Sequence, residues 1–389
     1  MLGNDIQIKQ LVGVGNVHLN FLPEQRVYCL IGENGIGKTK CLEALFKAYF
    51  STNKLLFDLY FKGNHSFEYV DKEENKFKSI FTFGDTKICL YPEPKEVTIK
   101  NSAVFFPQHE LPLVYVDTFE RTSHHNNQVG IRRINELFLR RKYYLDDLNE
   151  IAYNNSKYIS FKDRSNLHEW IIQRAQSANP YQAKEDNREI EITTLLCLLN
   201  KIDERFHPDY LEITGDDRVS FKVADKKTEL SELSSGFASI LKIMQSIIAG
   251  YSYFTNETNI AHVKGVVFID EIESHLHTKW QATIVPTLKR LFPNTIFYIT
   301  THSAIVLSQL QHGEAYELYR DKEDGVVKTE LIEHPNNAAF VDLLKDAFDI
   351  DINQLKLARH NAPNQKNAKK MLSELLEKRI NELKEGTQL

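Results

Sequence analysis

Read for its alternation of apolar and polar positions, the chain has a β-rich beginning, a helical middle and a second stretch in which strands and helices alternate. Residues 5 to 14 (DIQIKQLVGV) and 17 to 22 (VHLNFL) alternate or cluster apolar side chains around Gly13 and Gly15, which predicts a short hairpin. The run Val27-Tyr28-Cys29-Leu30-Ile31 predicts a buried strand, and Cys41, Leu42, Leu45, Phe46 and Tyr49 follow at helical spacing. Three β-like runs, His65 to Asp71, Phe77 to Phe83 and Lys87 to Tyr91, are separated by charged or Gly-Asp turns and predict an antiparallel meander. Pro92 and Pro94 end it, and the runs Ala103 to Phe106 and Leu113 to Val116 predict a return to a buried sheet.

From about residue 130 the spacing turns helical, with Ile131, Ile134, Leu137 and Phe138, then Leu145, Leu148 and Ile151, and a further helix expected over Ile190 to Phe206. This block carries Arg132, Arg133, Arg140, Arg141 and Lys142. They read first as a solvated helix face and second as a contact for phosphate backbone or an acidic partner. Residues 219 to 223 (VSFKV) predict a strand, and ELSELSSGFASILKIMQSII begins polar and ends as an apolar helix. The runs 265 to 274 (GVVFIDEIES) and 295 to 303 (TIFYITTHS) each predict a buried strand that ends in polar residues. Near the end, Ala368, Leu372, Leu375, Leu376, Arg379, Ile380 and Leu383 share one face of a Lys- and Glu-rich helix suited to packing on another chain.

The chemistry begins at residues 32 to 39, GENGIGKT, which fit G-x-x-x-x-G-K-[ST] between a predicted strand and a predicted helix. Gly32, Gly35 and Gly37, with Asn34 among them, let the backbone turn its N–H groups toward an anion, and the following helix adds its positive dipole end. Lys38 can then reach the outer phosphates of a nucleotide, and the Thr39 hydroxyl can ligate magnesium. Asp270, at the end of an apolar strand, is placed to hold the same ion, and Glu271 to orient or deprotonate an attacking water. His302, past the tip of the next strand, is placed to sense the γ-phosphate. Ser234, Ser235 and Gly236 open a helix whose free N–H groups suit an anion, although Ser-Ser is also an ordinary cap. His275 and His277 have no further ligand cluster after them and read as structural.

Composition narrows this little further. With 389 residues, 42% of them hydrophobic, there is material for one large domain or two to three smaller ones. No run is long and apolar enough for a membrane span and the first ten residues lack a signal-peptide core, so a cytoplasmic protein is expected. Cys29, Cys41, Cys89 and Cys197 lie too far apart in sequence for a metal pair and are expected to be reduced and mostly buried. A net charge of −5 argues against a surface that coats nucleic acid throughout, leaving a local basic groove open.

Taken in order, GENGIGKT, LSSGF (233 to 237), VVFIDEIESHLH (266 to 277) and TTHS (300 to 303) resemble the Walker A, signature, Walker B with D-loop, and H-switch motifs of ABC-type ATPases. The wording is similar to the SMC, RecF and OLD side of that superfamily, in particular the small bacterial ATPases of the anti-phage systems Septu, PARIS and retron cassettes. Transporter subunits fit less well, because roughly 190 residues separate Thr39 from Leu233 here. The resemblance covers residues 1 to about 50 and 220 to 330. It implies an α/β fold, a mixed-sheet P-loop ATPase core with helices on its faces, an antiparallel meander and a helical insertion. The expected division is an N-terminal lobe at 1–120 with the meander at about 60–92, the helical insertion at 121–215, a C-terminal lobe at 216–335 and a helical segment at 336–389. ATP and Mg2+ are the implied cofactors. Lys38, Thr39, Asp270 and Glu271 of one chain would meet Ser234 and Gly236 of another in a homodimer or higher oligomer. Gln108 is the nearest candidate for the Q-loop glutamine at the metal, with the segment Asp117 to Arg121 as the alternative.

Phe237 departs from the pattern, since these families often carry Glu or Gln there. A Toprim nuclease is not expected: Asp349 and Asp351 form a D-x-D, but no strand-borne Glu precedes them at a fitting distance. The expected function is slow, Mg-dependent ATP hydrolysis that senses or regulates a partner effector, a nuclease or toxin, in anti-phage defence. The alternative is a RecF- or SMC-like DNA-binding repair ATPase.

Overall fold

The computed structural model describes residues 4–55, 67–68, 79–83, 86–90, 98–100, 103–105, 109–118, 134–153, 167–178, 181, 183, 186–338, 342–343, 345 and 370–375. The first hairpin forms as expected, with β1 (Asp5–Leu11) antiparallel to β2 (Gly15–Asn20), followed by β3 (Val27–Ile31) and helix α1 (Lys38–Thr52). β4 (Phe67–Glu68), β5 (Ser79–Phe83) and β6 (Thr86–Leu90) make the antiparallel meander, and β6 pairs with β1 to continue the sheet. Among the described residues β7 (Thr98–Lys100) and β8 (Ala103–Phe105) pair only with each other, whereas β9 (Leu113–Val116) enters the main sheet. The expected return to the sheet therefore starts at Leu113 and excludes the run at Ala103.

Helices α2 (Leu137–Tyr153), α3 (Leu167–Ser177) and α4 (Glu189–Ile202) make the helical middle. α4 stops at Asp203, and Phe206, expected to end a helix, instead begins β10 (Phe206–Ile213). With β11 (Val219–Val223) and β12 (Lys226–Glu229) it forms a separate three-stranded antiparallel sheet. Then come α5 (Ser235–Ser252), β13 (Gly265–Ile269), α6 (Ile284–Leu291), β14 (Thr295–Thr300), β15 (Ala315–Arg320) and β16 (Val327–Leu331).

The main sheet has eleven strands in the order β4-β5-β6-β1-β2-β16-β15-β3-β14-β13-β9. It is parallel from β15 through β3, β14 and β13 to β9, and antiparallel through the meander and first hairpin. Strand side chains point alternately to opposite faces, and both faces of the parallel half are buried. Tyr28, Leu30, Tyr115, Phe268 and Tyr298 share one apolar cluster with Leu42, Leu45, Phe46 and Tyr49 of α1. Val27, Cys29, Ile31, Val116, Val267, Ile269 and Ile299 turn the other way, into a cluster with α4 and α5. Helices on both faces of the parallel half leave the carboxyl ends of β3, β13 and β14 as one open rim.

The arginines of α2 do not form a solvated face. Arg140 is 4% exposed, and Arg141 donates to the carbonyls of Tyr253 and Phe254 just past α5. α2 lays this side over the end of α5, where Tyr144 stacks on Tyr253 at 4.5 Å and donates to the Leu113 carbonyl. At their centre Glu191, fully buried, accepts from Arg174 Nε at 2.7 Å and Arg188 Nε at 2.6 Å, with Arg140 at 3.9 Å. Asn256 accepts from Arg140 at 2.8 Å. Arg132 and Arg133 lie outside the described residues.

Candidate functional site

The rim is built by short loops that leave buried strands. Between β3 and α1 the chain needs left-handed backbone, with Gly32 at φ +138° and Gly37 at φ +109°. A Cβ on Gly32 would sit 2.6 Å from the Leu318 carbonyl oxygen, and one on Gly37 would sit 2.6 Å from Val14 Cγ2. Only glycine fits both the space and the torsion. Gly35 is likewise left-handed, and Asn34 is exposed at the loop tip.

Lys38 is 5% exposed, and its ammonium donates to the loop's own carbonyls, Gly32 at 2.7 Å and Glu33 at 2.9 Å. Burial draws its pKa below the usual lysine value, while Asp270, Glu271 and Glu273 pull it back up. Thr39 Oγ1 donates to Asp270, 3.0 Å and 3.1 Å from its two oxygens. Asp270 also accepts from the buried Thr300 hydroxyl at 2.6 Å, and that hydroxyl in turn accepts from the Glu271 N–H at 2.7 Å. Thus one threonine at the tip of β14 fixes both acids at the tip of β13. Glu271 sits at φ +44°, a conformation that costs a non-glycine residue about 1–3 kcal/mol. Its carboxylate accepts from the Ser274 hydroxyl at 2.8 Å. One turn on, Glu273 accepts from the Thr301 hydroxyl and from the His302 N–H, and the His302 side chain is exposed.

Asp117 follows β9 as Asp270 follows its neighbour β13, and it is 8% exposed. It lies in the segment named as the alternative to Gln108, which is outside the described residues. Thr300 and Glu273 are the rim residues that motif reading passed over. Their signal was a hydroxyl and an acid placed within already noticed strand tips.

Ser234 caps α5, accepting from the Phe237 N–H, and Ser234 and Ser235 are exposed. Gly236 is buried against the D-loop backbone, where an added Cβ would lie 3.4 Å from His277 N and 3.5 Å from the His275 carbonyl. Among the described residues no hydrogen bond joins these three to the phosphate loop of the same chain. Phe237 stacks flat on Phe206 at 4.6 Å and leans on Trp280 at 6.0 Å, so the departure from a polar residue serves the core. His277 caps a short helix, and no cluster of three or more metal-ligating side chains occurs among the described residues. Cys29, Cys41 and Cys89 are buried, while Cys197 is exposed.

A phosphate loop, two acids at the next-but-one strand tip and a capped helix over the D-loop define a P-loop ATPase of mixed α/β fold. Residues 27–308 match the family described as "AAA domain, putative AbiEii toxin, Type IV TA system", and the chain belongs to it. It is 29% identical over 234 residues to Retron Vc95 probable ATPase of Vibrio cholerae serotype O1 biovar El Tor, covering 57% of this chain and 45% of that one. It is 26% identical over 313 residues to Septu protein PtuA of Bacillus mycoides (strain KBAB4), covering 76% and 36%. The chain thus spans less than half the length of these two relatives. A solved SMC head bound to the C-winged helix domain of ScpA aligns over 85% of this chain and 98% of its own at 12% identity, with a TM-score of 0.43. No helix among the described residues is long and apolar enough to cross a membrane.

Proposed function

We propose that the chain binds ATP with Mg2+ at this rim, hydrolyses it slowly, and uses the cycle to control a partner effector in anti-phage defence. The observation that supports this most is the network Thr39–Asp270–Thr300–Glu271, which sets a hydroxyl, a carboxylate and a second acid beside a phosphate loop. The donor set suits magnesium, a hard cation that takes one or two protein oxygens and fills its octahedron with phosphate oxygens and water. Thr39 and Asp270 would hold it. Bound there, the ion neutralises charge developing on the phosphates. Lys38 would exchange its loop carbonyls for phosphate oxygens, and Glu271 would orient the attacking water.

The exposed Ser234 and Ser235 suit closure of the site by a second copy, so that two sandwiched nucleotides stabilise a closed dimer and hydrolysis releases it. The defence setting and the effector, a nuclease or toxin, are inferred from the kinship with retron and Septu proteins. Arg140, buried, and Arg141, half-buried and donating to the Phe254 carbonyl, bond within the chain and so lend less to the repair-ATPase alternative, whereas Lys142 is exposed.

Nucleotide binding and turnover of two variants test the core of the reading. Lys38→Ala should abolish ATP binding, whereas Glu271→Gln should bind ATP normally and lose turnover by about 10²–10⁴-fold. Wild-type turnover in Glu271→Gln would refute the assignment of the activating carboxylate.

A further inference from the structure

We propose that Glu273 is a positioning residue for hydrolysis, holding the strand tip that carries His302 in register with the turn that carries Glu271. The inference rests on the ATPase reading above. Its ground is that both oxygens of one carboxylate are spent on the neighbouring tip: Oε2 accepts from Thr301 Oγ1 at 2.5 Å and Oε1 from the His302 N–H at 2.6 Å. Bonds to an ionised acceptor are shorter and roughly twice as strong as neutral ones. Thr301 is fully buried, and its hydroxyl also accepts from the Ser303 N–H at 3.0 Å, so it cannot swing away without breaking the next turn.

The His302 ring, by contrast, makes no hydrogen bond among the described residues. What is fixed is the root of that imidazole, its backbone, whose N–H is held by Glu273. A parallel clamp lies one step deeper, where Thr300 ties Asp270 and the Glu271 N–H together. A third tie follows, with the Ser303 hydroxyl donating to Gln281 at 2.7 Å and Gln281 donating to the Leu276 carbonyl at 2.9 Å. Because the outer ties flank it, losing the Glu273 clamp leaves the fold standing and frees only the tip. In chemical terms, Glu273 acts on this reading through the His302 backbone, beside its charge effect on Lys38. It fixes the separation between the acid that orients water and the histidine that meets the γ-phosphate.

The test combines steady-state ATP turnover with binding of a fluorescent ATP analogue to the full chain. Glu273→Ala should lower kcat about 10–100-fold while nucleotide affinity stays within about two-fold. Glu273→Gln can still accept from the His302 N–H; its amide would face Thr301 as a donor and leave the Thr301 proton without its acceptor, but the His302 tie survives and kcat should stay within about three-fold of wild type. Thr301→Val, nearly isosteric, removes the bond to Glu273 together with the one from the Ser303 N–H and should lower kcat about 3–10-fold. In a His302→Ala background, Glu273→Ala should cost less than about two-fold more, because residues that act through one another are not additive.

Multiplicative losses in the double variant would overturn the proposal, as would wild-type kcat in Glu273→Ala or a Gln variant as impaired as the Ala variant. If Glu273→Ala does not fold, the unequal responses of Glu273→Gln and Thr301→Val decide the matter, and equal kcat in the two sinks it. A wild-type chain that binds but never turns over ATP would instead overturn the ATPase reading, and this inference with it.

Discussion

His109 has both ring nitrogens spoken for. Nε2 lies 2.9 Å from the Tyr49 carbonyl and must donate, while Nδ1 accepts from the Leu111 N–H at 3.2 Å, so only one neutral tautomer fits. Burial, against the pull of the Tyr49 carbonyl, lowers its pKa from 6.5 to about 4. The unfolded chain therefore takes up a proton below pH 6.5 that the folded chain refuses until about pH 4. Stability should fall across that window by at most about 3 kcal/mol, and denaturant melts at pH 7, 5.5 and 4.5 should show less of that fall in His109→Gln. An equal pH response in the two proteins would remove His109 as its source. At this scale the meeting of Lys38, Thr39, Asp270 and Glu271 at one rim was legible in the sequence, because the phosphate-loop pattern and the acid-ended strand each place residue types at a fixed offset from a strand. Thr300 was not, since a buried threonine reads as β-propensity until the neighbouring strand shows what its hydroxyl touches. Arg140 and Arg141 were read as surface because helical spacing says which residues share a face, never what covers it.

Among the elements, α5 carries the clearest conflict between family pattern and packing. Replacing Phe237 with the Gln that related families often carry would put an amide between Phe206 and Trp280. Phe237→Gln should cost about 3–5 kcal/mol, the range for truncating a buried aromatic, and thermal melts read that directly. An unchanged melting temperature would show that α5 can shift to expose the site. The long apolar strands and α1 were readable from periodicity alone. β10 was not, because FHPDYLEI contains a proline and lies half exposed, so it has neither the alternation nor the apolar run that marks a strand. β8 looked like sheet by composition, yet among the described residues pairs only within its own hairpin, since chain geometry decides partners that residue type leaves open.

For the whole molecule, a site completed by a second copy predicts complementation. Chains carrying Ser234→Arg and chains carrying Lys38→Ala should each turn over little ATP, while their mixture should regain up to about a quarter of wild-type turnover as one good site forms per mixed dimer. No recovery in dimers shown to be mixed would argue for a site closed within one chain. Inside each chain, burial alone would raise the Glu191 carboxyl, but Arg174 and Arg188 outweigh it and hold it below its ordinary 4.5. Its support is complete above about pH 4.5 and is lost as pH falls through the lower folded value. Glu191→Gln, which leaves three buried guanidiniums facing a neutral amide, should destabilise by about 3–5 kcal/mol. That arrangement also limits how such proteins can be recombined. A helical segment transplanted from a relative would bring its own versions of Arg140, Arg174, Arg188 and Glu191, but would find Asn256 and the carbonyls beyond α5 supplied by the host. A viable graft must therefore match charge across the seam as well as length.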